Sequence, residues 1–202
     1  MSLISDKIIK DLKLSPKRLK HTLGVAETAK ELAKRHFPEI DTEKVEIAGL
    51  MHDFTKELPT EEQLALCEKY GITLSELERK NPKLLHAKTG AAIAREVYKL
   101  DGEVESAVYW HTTGKAAMSG MEICLYLADY IEPNRKDEGC VKLREYYYKK
   151  LGENNAETAL IKTLIRSFDT TVGFLMEERR VISLDTIEAR NYYVTRLETE
   201  KL

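Results

Sequence analysis

Four histidines and two aspartates in this 202-residue chain have the types and surroundings to hold a metal ion. His21 lies on the face of a long helical stretch, His52 stands directly before Asp53, His86 follows Leu85, and His111 follows Tyr109-Trp110. Asp129 interrupts the apolar stretch Ile123 to Ile131. A carboxylate buried there is costly unless a cation or hydrogen bonds compensate it, and a cation is the simpler answer. Small residues lie one turn from each histidine: Gly24 and Val25 after His21, Ala48 and Gly49 before His52, Thr89 and Gly90 after His86, Ala107 before His111. Helices carrying them can approach closely enough for four imidazoles to meet. The same residues also serve ordinary helix packing, and a single histidine is more often a core or surface residue than a ligand. His36, before Phe37-Pro38, fits that plainer role.

The adjacent pair His52-Asp53 shifts the balance, because it closes a helical pattern with side chains about 100° apart that can both reach an ion ahead of the helix end. Nitrogen and oxygen donors without a thiolate suit iron, manganese, cobalt or magnesium better than a structural zinc. Through its two oxygens Asp53 could bridge two ions. A two-metal site suits phosphoryl chemistry, since the ions lower the pKa of a water between them and neutralise a leaving phosphate.

Helices must position such a set. With ten Gly and five Pro in the chain and little period-2 alternation, the fold class is all-α. Ser15-Pro16 predicts the N-cap and first turn of a helix that carries Leu19, Leu23, Ala26, Ala29, Leu32 and Ala33 and ends near His36-Phe37-Pro38. Thr42 opens the next, through Val45, Ile47, Ala48, Leu50 and Met51 into His52-Asp53. Thr60 with Gln63 reads as a capping box for a short helix ending at Gly71, and Thr73 to Lys80 as another before Asn81-Pro82. Longer helices are expected over 82–100, 103–112, 121–131, 138–151, 155–178 and 185–198, with 113–120 as an interior loop. The stripe Leu160, Leu164, Phe168 and Phe174 fits packing onto the helical core, with a homodimer partner as the other use.

Lys plus Arg number 32 and Asp plus Glu 34, a net charge of -2, which leaves no basic footprint for nucleic acid. Any anionic ligand must therefore be held by a local site. No apolar run approaches the length of a membrane span, and the alternating start, Met1 to Lys10, lacks a signal-peptide core. Cys67, Cys124 and Cys140 are odd in number and widely spaced, which argues against a disulfide framework and a thiolate metal site. The expectation is a cytoplasmic protein with one domain over residues 1–202, long enough to support its own core.

The order His21, His52-Asp53, His86, His111, Asp129 resembles the HD-domain metal-dependent phosphohydrolases, in the subgroup with six ligands and two metals. The flanking sequences narrow the resemblance. Arg18-Leu19-Lys20-His21-Thr22, Gly49-Leu50-Met51-His52-Asp53-Phe54-Thr55-Lys56, Leu84-Leu85-His86-Ala87, Trp110-His111-Thr112-Thr113-Gly114 and Leu127-Ala128-Asp129-Tyr130-Ile131-Glu132-Pro133-Asn134-Arg135 are similar to the YqeK family, bacterial symmetrical diadenosine tetraphosphate hydrolases. The similarity covers roughly residues 15–145, and the run from Ala128 to Arg135 is its most specific part. It implies an HD-domain helical bundle with a C-terminal helical extension over about 155–200. It implies two divalent or mixed-valence ions, iron ahead of manganese, cobalt or magnesium, and cleavage of diadenosine tetraphosphate into two ADP. By the same resemblance His21, His52, Asp53 and Asp129 would hold one ion, and Asp53, His86 and His111 the other. One departure is visible: Glu138-Gly139-Cys140-Val141 lacks the proline that the family usually places before this glycine, which touches a turn and no ligand.

Lys56, three residues after Asp53, leaves the ligand helix into a loop where an ammonium can meet a phosphate oxygen as a point charge. Arg135 and Arg144 offer bidentate phosphate contacts. Thr113 and Gly114 can present a hydroxyl and a backbone N–H to phosphate, or simply form a turn. Trp110 and the cluster Tyr146, Tyr147, Tyr148 read as packing aromatics, with no base pocket assigned. On this reading the catalytic residues are Asp53, Lys56 and Arg135: the metals activate water for in-line attack while Lys56 and Arg135 stabilise charge on the leaving ADP. One rival is an HD phosphohydrolase acting on mononucleotides, deoxynucleotides or cyclic nucleotides. The other is a non-catalytic helical binding module, whose mark would be a missing ligand, and all six are present.

Overall fold

In the computed structural model, which describes residues 2–199, the chain folds into α1 (Leu3–Asp11), α2 (Pro16–His36), α3 (Thr42–Met51), α4 (Thr60–Lys69), α5 (Glu76–Lys80), α6 (Leu85–Glu96), α7 (Gly102–Trp110), α8 (Gly120–Ile131), α9 (Glu138–Glu153), α10 (Ala156–Glu177) and α11 (Leu184–Thr199). No strand occurs among the described residues, as the all-α reading expects. None of the helices described is long and apolar enough to cross a membrane.

Ser15 starts α2 as expected: its hydroxyl accepts the Arg18 N–H at 3.3 Å, and Pro16 sits in the first turn, where a missing N–H costs nothing. α2 packs along α3 and α8, and α7 joins α6 to α8. Val25, Ala29, Leu50, Met51, Leu125 and Leu127 meet in the middle, each 0% exposed. α8 is apolar all round from Ile123 to Ala128 because it is enclosed on every side. Leu160, Leu164 and Phe168 of α10 join the same buried cluster, and the Phe168 ring stacks on Tyr126 at 4.9 Å between centroids. Tyr193 of α11 is tied to the same assembly, since its hydroxyl accepts the Met118 N–H at 3.0 Å. Phe174, counted in the same stripe from sequence, is instead 52% exposed near the end of α10.

Other local expectations need correction. The alternating start contains a helix, α1, because Ile4, Ile8 and Leu12 fall on one helical face and Ile8 is fully buried against the core. Thr60 and Gln63 form no capping box: Pro59 occupies the cap, and the Gln63 side-chain N–H donates to the Leu58 carbonyl at 3.0 Å. The capping boxes that do form are Ser75 with Glu78 and Ser119 with Glu122. The stretch 82–100 is broken into a 3₁₀ turn at Pro82–Leu84 and α6, and Lys99 beyond it takes a left-handed φ of 54°.

Gly49 governs how closely α2 and α3 approach, since a Cβ there would lie 2.5 Å from the Ala26 Cα. Backbone cannot yield as a flexible side chain would. Gly49→Ala is therefore expected to destabilise the fold by about 1–3 kcal/mol, lowering Tm by about 2–4 °C for each kcal/mol. Calorimetric melting of the variant tests this, and an unchanged Tm would contradict so tight an approach.

Candidate metal centre

Five helices bring their ends or faces to one point. α2 supplies His21 from its buried face, α3 ends at His52 with Asp53 in the turn beyond, α6 brings His86 in its first turn, α7 ends at His111, and α8 carries Asp129 in its last turn. The turn after α3 is fixed by Phe54 N–H to Met51 carbonyl at 3.1 Å and Lys56 N–H to Asp53 carbonyl at 3.0 Å. Thr55 ties that turn to α6, with its hydroxyl 3.1 Å from the His86 carbonyl and 2.7 Å from the Thr89 hydroxyl.

Three rings share one orienting bond. His52, His86 and His111 each donate an Nδ1–H, at 2.7 Å, to the carbonyl three residues earlier, those of Gly49, Lys83 and Val108. A carbonyl only accepts, so each neutral ring keeps its proton on Nδ1 and turns a bare Nε2 inward. His21 is oriented differently, with Nδ1 at 3.1 Å from Glu132 Oε1. Gly24 makes room for this carboxylate, since a Cβ at Gly24 would run into Glu132 and Asn134.

The inward nitrogens meet carboxylate oxygens. Asp53 Oδ2 lies 3.2 Å from His52 Nε2 and 3.7 Å from His21 Nε2, while Oδ1 lies 3.4 Å from His86 Nε2. Asp129 Oδ1 is 3.0 Å from His21 Nε2 and 3.9 Å from His52 Nε2. The His86 and His111 Nε2 atoms are 3.0 Å apart. Two overlapping groups result, His21, His52 and Asp53, and Asp53, His86 and His111, each with donor atoms within 4.8 Å of one another. The Nε2 atoms of His21 and His52 are buried without a hydrogen-bond partner among the described residues. Lone pairs turned toward one another and toward carboxylates need a cation among them, and the nitrogen and oxygen donors fit a divalent metal. Burial would raise the Asp53 pKa, but His52, Lys56 and His86 hold it well below the usual carboxylate value. Burial acts likewise on Asp129, and there His21 and Arg135 keep the carboxyl low.

The HD domain family matches residues 18–134, the span that contains all six of these side chains. The chain is 36% identical over 183 residues to the symmetrical bis(5'-nucleosyl)-tetraphosphatase of Bacillus subtilis (strain 168), covering 90% of this chain and 92% of that protein. It is 35% identical over 182 residues to the protein of the same name from Staphylococcus aureus (strain NCTC 8325 / PS 47), covering 90% and 89%. The chain belongs to the HD domain family, in the same group as these two proteins. A crystal structure of a predicted HD superfamily hydrolase involved in NAD metabolism, from Clostridium acetobutylicum, superposes with a TM-score of 0.83 at 40% identity, covering 95% of this chain and 97% of that one.

Around this histidine and aspartate cluster, the basic residues singled out from sequence fall into different settings. The Lys56 ammonium lies 3.1 Å from His86 Nε2 and 3.8 Å from Asp53 Oδ1, at the floor of a cleft of about 250 Å³ lined also by His111, Thr113 and Asp129. Arg135 grips Asp129 twice, through Nη2 to Oδ1 at 2.7 Å and Nε to the carbonyl at 2.9 Å. Arg144 donates to the carbonyl of Glu132 at 2.7 Å and to that of Arg135 at 3.5 Å, so its guanidinium braces the turn after α8. The Thr113 hydroxyl donates to the Gly114 carbonyl at 3.0 Å. The Gly114 N–H is taken by the Trp110 carbonyl at 2.8 Å, and the residue, at a φ of 65°, presses on the Phe168 ring. Trp110 and Tyr109 wall a neighbouring cavity of about 320 Å³ that shares Thr112 and Thr113 with the cleft. Two site residues escaped the sequence reading: Glu132, which aims His21, and Arg18, whose Nη1 lies 2.9 Å from Asp53 Oδ2. Gly24, too small for its helix face unless something occupies the space, was the available signal for Glu132.

His36 stands apart from the cluster, near the far end of α2, with its Nε2 2.8 Å from the Tyr147 hydroxyl. Burial, with Arg35 beside it, pushes its pKa down to about 4. His86→Ala is expected to lose most bound metal and His36→Ala to keep it, as read by elemental analysis of the purified proteins. Equal metal content in the two would refute the distinction. Glu132→Ala should weaken metal binding by about 10–100-fold, as expected when a ligand loses its orienting partner. A chelator competition titration, with far-UV circular dichroism as the folding control, measures it, and wild-type affinity would deny Glu132 that role.

Proposed function

We propose that this protein hydrolyses dinucleoside tetraphosphates, diadenosine tetraphosphate above all, between the two central phosphates to give two ADP, and does so in the cytoplasm. The observation that carries the reading is Asp53, whose two oxygens face separate histidine groups in a chain similar over nine-tenths of its length to proteins named for this reaction. A cytoplasmic setting suits its three free cysteines.

Two divalent cations, iron in both positions, suit the two donor groups: His21, His52, Asp53 and Asp129 would hold one, and Asp53, His86 and His111 the other. Bound there, the ions supply Lewis acidity and make water nucleophilic near neutral pH. The protein's own groups do the remaining work. Lys56 brings an ammonium to the cleft floor, where it meets a phosphate oxygen beside the scissile bond. Arg135 holds the Asp129 carboxylate in its ligating position, and its positive charge beside that carboxylate would help stabilise the departing ADP. Arg18 offsets the charge of Asp53 from the opposite side. Thr113 lines the cleft and would give its hydroxyl to the phosphate chain on turning it from the Gly114 carbonyl, Gly114 sets the shape of that loop, and Arg144 acts through the turn it braces. Residues 1–202 serve as one unit, because α10 and α11 share the core that positions the ligands.

Central attack leaves ADP as the sole nucleotide product, whereas attack at an outer phosphorus leaves ATP and AMP. An early time course on diadenosine tetraphosphate, resolved by chromatography, is expected to show ADP alone. ATP with AMP would reject the central register. No cleavage, alongside rapid turnover of a mononucleotide, would reject the substrate.

A further inference from the structure

We infer that Thr55 and Thr89 form a clamp that fixes the distance between the two halves of the metal centre, so that Thr55 is a positioning residue for the ion assigned to Asp53, His86 and His111. The inference deepens the two-ion reading above and rests on it. Thr55 lies two residues after Asp53, and its hydroxyl is 3.1 Å from the carbonyl of His86 itself. One side chain thus joins the backbone beside the shared carboxylate to the backbone of a histidine in the second group.

The two hydroxyls act as one unit. Both threonines are 0% exposed, so their oxygens pair with each other and with the backbone around them. The Oγ1 atoms lie 2.7 Å apart, and Thr89 Oγ1 is also 2.9 Å from the Leu85 carbonyl. Each hydroxyl has a single proton to give, so the bonds run in series. Either Thr89 donates to Thr55 and Thr55 to the His86 carbonyl, or Thr55 donates to Thr89 and Thr89 to the Leu85 carbonyl. Both orders tie the turn after α3 to the first turn of α6, and both are broken when the Thr55 hydroxyl is removed.

Helix packing leaves much of this distance to the clamp. α6 packs chiefly on α7 and α4, and where it meets the end of α3 it presents Gly90, at which an added Cβ would lie 3.4 Å from the Met51 carbonyl oxygen. The approach is close, but no side chain interlocks there. Lys83 holds the His86 ring to its own backbone, so the ring moves with the start of α6. Asp53 Oδ1 and His86 Nε2, 3.4 Å apart, therefore keep their separation only as well as the two backbones keep theirs. The other group does not depend on this link: His52 and Asp53 are consecutive, and His21 and Asp129 reach them from α2 and α8. Loss of the clamp should loosen one ion and spare the other.

Thr55→Val keeps the shape of the side chain and removes the hydroxyl, and it tests the assignment in protein loaded with manganese(II) and titrated against a chelator. The wild type is expected to release two ions per chain. Thr55→Val should hold one as the wild type does and the other about 10–100-fold more weakly, with Thr55→Ser, which restores the hydroxyl, recovering most of the loss. Thr163→Val, which removes another fully buried threonine hydroxyl from α10, should lower Tm and leave both ions in place. Wild-type affinity for both ions in Thr55→Val, equal weakening of the two, or no recovery in Thr55→Ser would overturn the inference. If Thr55→Val fails to fold, Thr89→Val breaks the series from the α6 side and should show the same one-sided loss, and wild-type affinity there would equally overturn it. A wild type that holds a single ion would sink the two-ion reading instead. The separation of Asp53 and His86 in crystal structures of the wild type and Thr55→Val would then decide the role of Thr55: a wider gap in the variant supports the clamp, and an unchanged one overturns it.

Discussion

One bond, made three times, sets the geometry on which the site depends: an imidazole Nδ1–H given to the carbonyl three residues earlier. Gly49 and Val108 lie in the last turns of α3 and α7, where carbonyls have no intrahelical partner. The ring that satisfies such a carbonyl also closes the helix, so capping and ligand orientation are the same interaction. Lys83 does this from the 3₁₀ turn that precedes α6. The helices must therefore stop where they do, and residues that set their ends and spacing, such as Gly49 and Pro82, act on the chemistry without touching it.

Electrostatics around the centre are arranged in pairs. Asp53 has Arg18, Asp129 has Arg135, and Glu132 has His21. Neighbouring groups keep each carboxylate ionised despite burial, His52, Lys56 and His86 for Asp53, His21 and Arg135 for Asp129, and His21 with Asn134 for Glu132. The paired arginines are fixed in these tasks, while Lys56, in contact with His86 and Asp53, and Lys83 bring further positive charge to the cleft.

Much of the centre was legible in the sequence because its signals are local. Asp129 in an apolar helix, His52 beside Asp53 and the small residues next to each histidine all report burial and close approach within a turn or two. What was not legible depends on chain separation. Glu132 reaches His21 across 111 positions, and no spacing rule connects them. Thr60 and Gln63 have the letters of a capping box, but Pro59 takes the cap and Gln63 prefers the Leu58 carbonyl. α1 was hidden because it is only nine residues long, too short to stand on local propensity, and the tertiary burial of Ile8 defines it. Arg144 and Gly114 were plausible by position, and only the fold shows that neighbouring backbone groups already engage them.

The six side chains of the candidate metal centre are spread from His21 to Asp129, and they come together only in the folded chain. An ion that binds them all has no comparable site in the unfolded chain, so its binding energy adds to the folding energy. At a free concentration one hundred times Kd this amounts to about 2.7 kcal/mol for each site. A metal held there would be a tether on the whole helical assembly as well as a reagent, and the heat resistance and lifetime of the protein would then follow the metal supply of the cell.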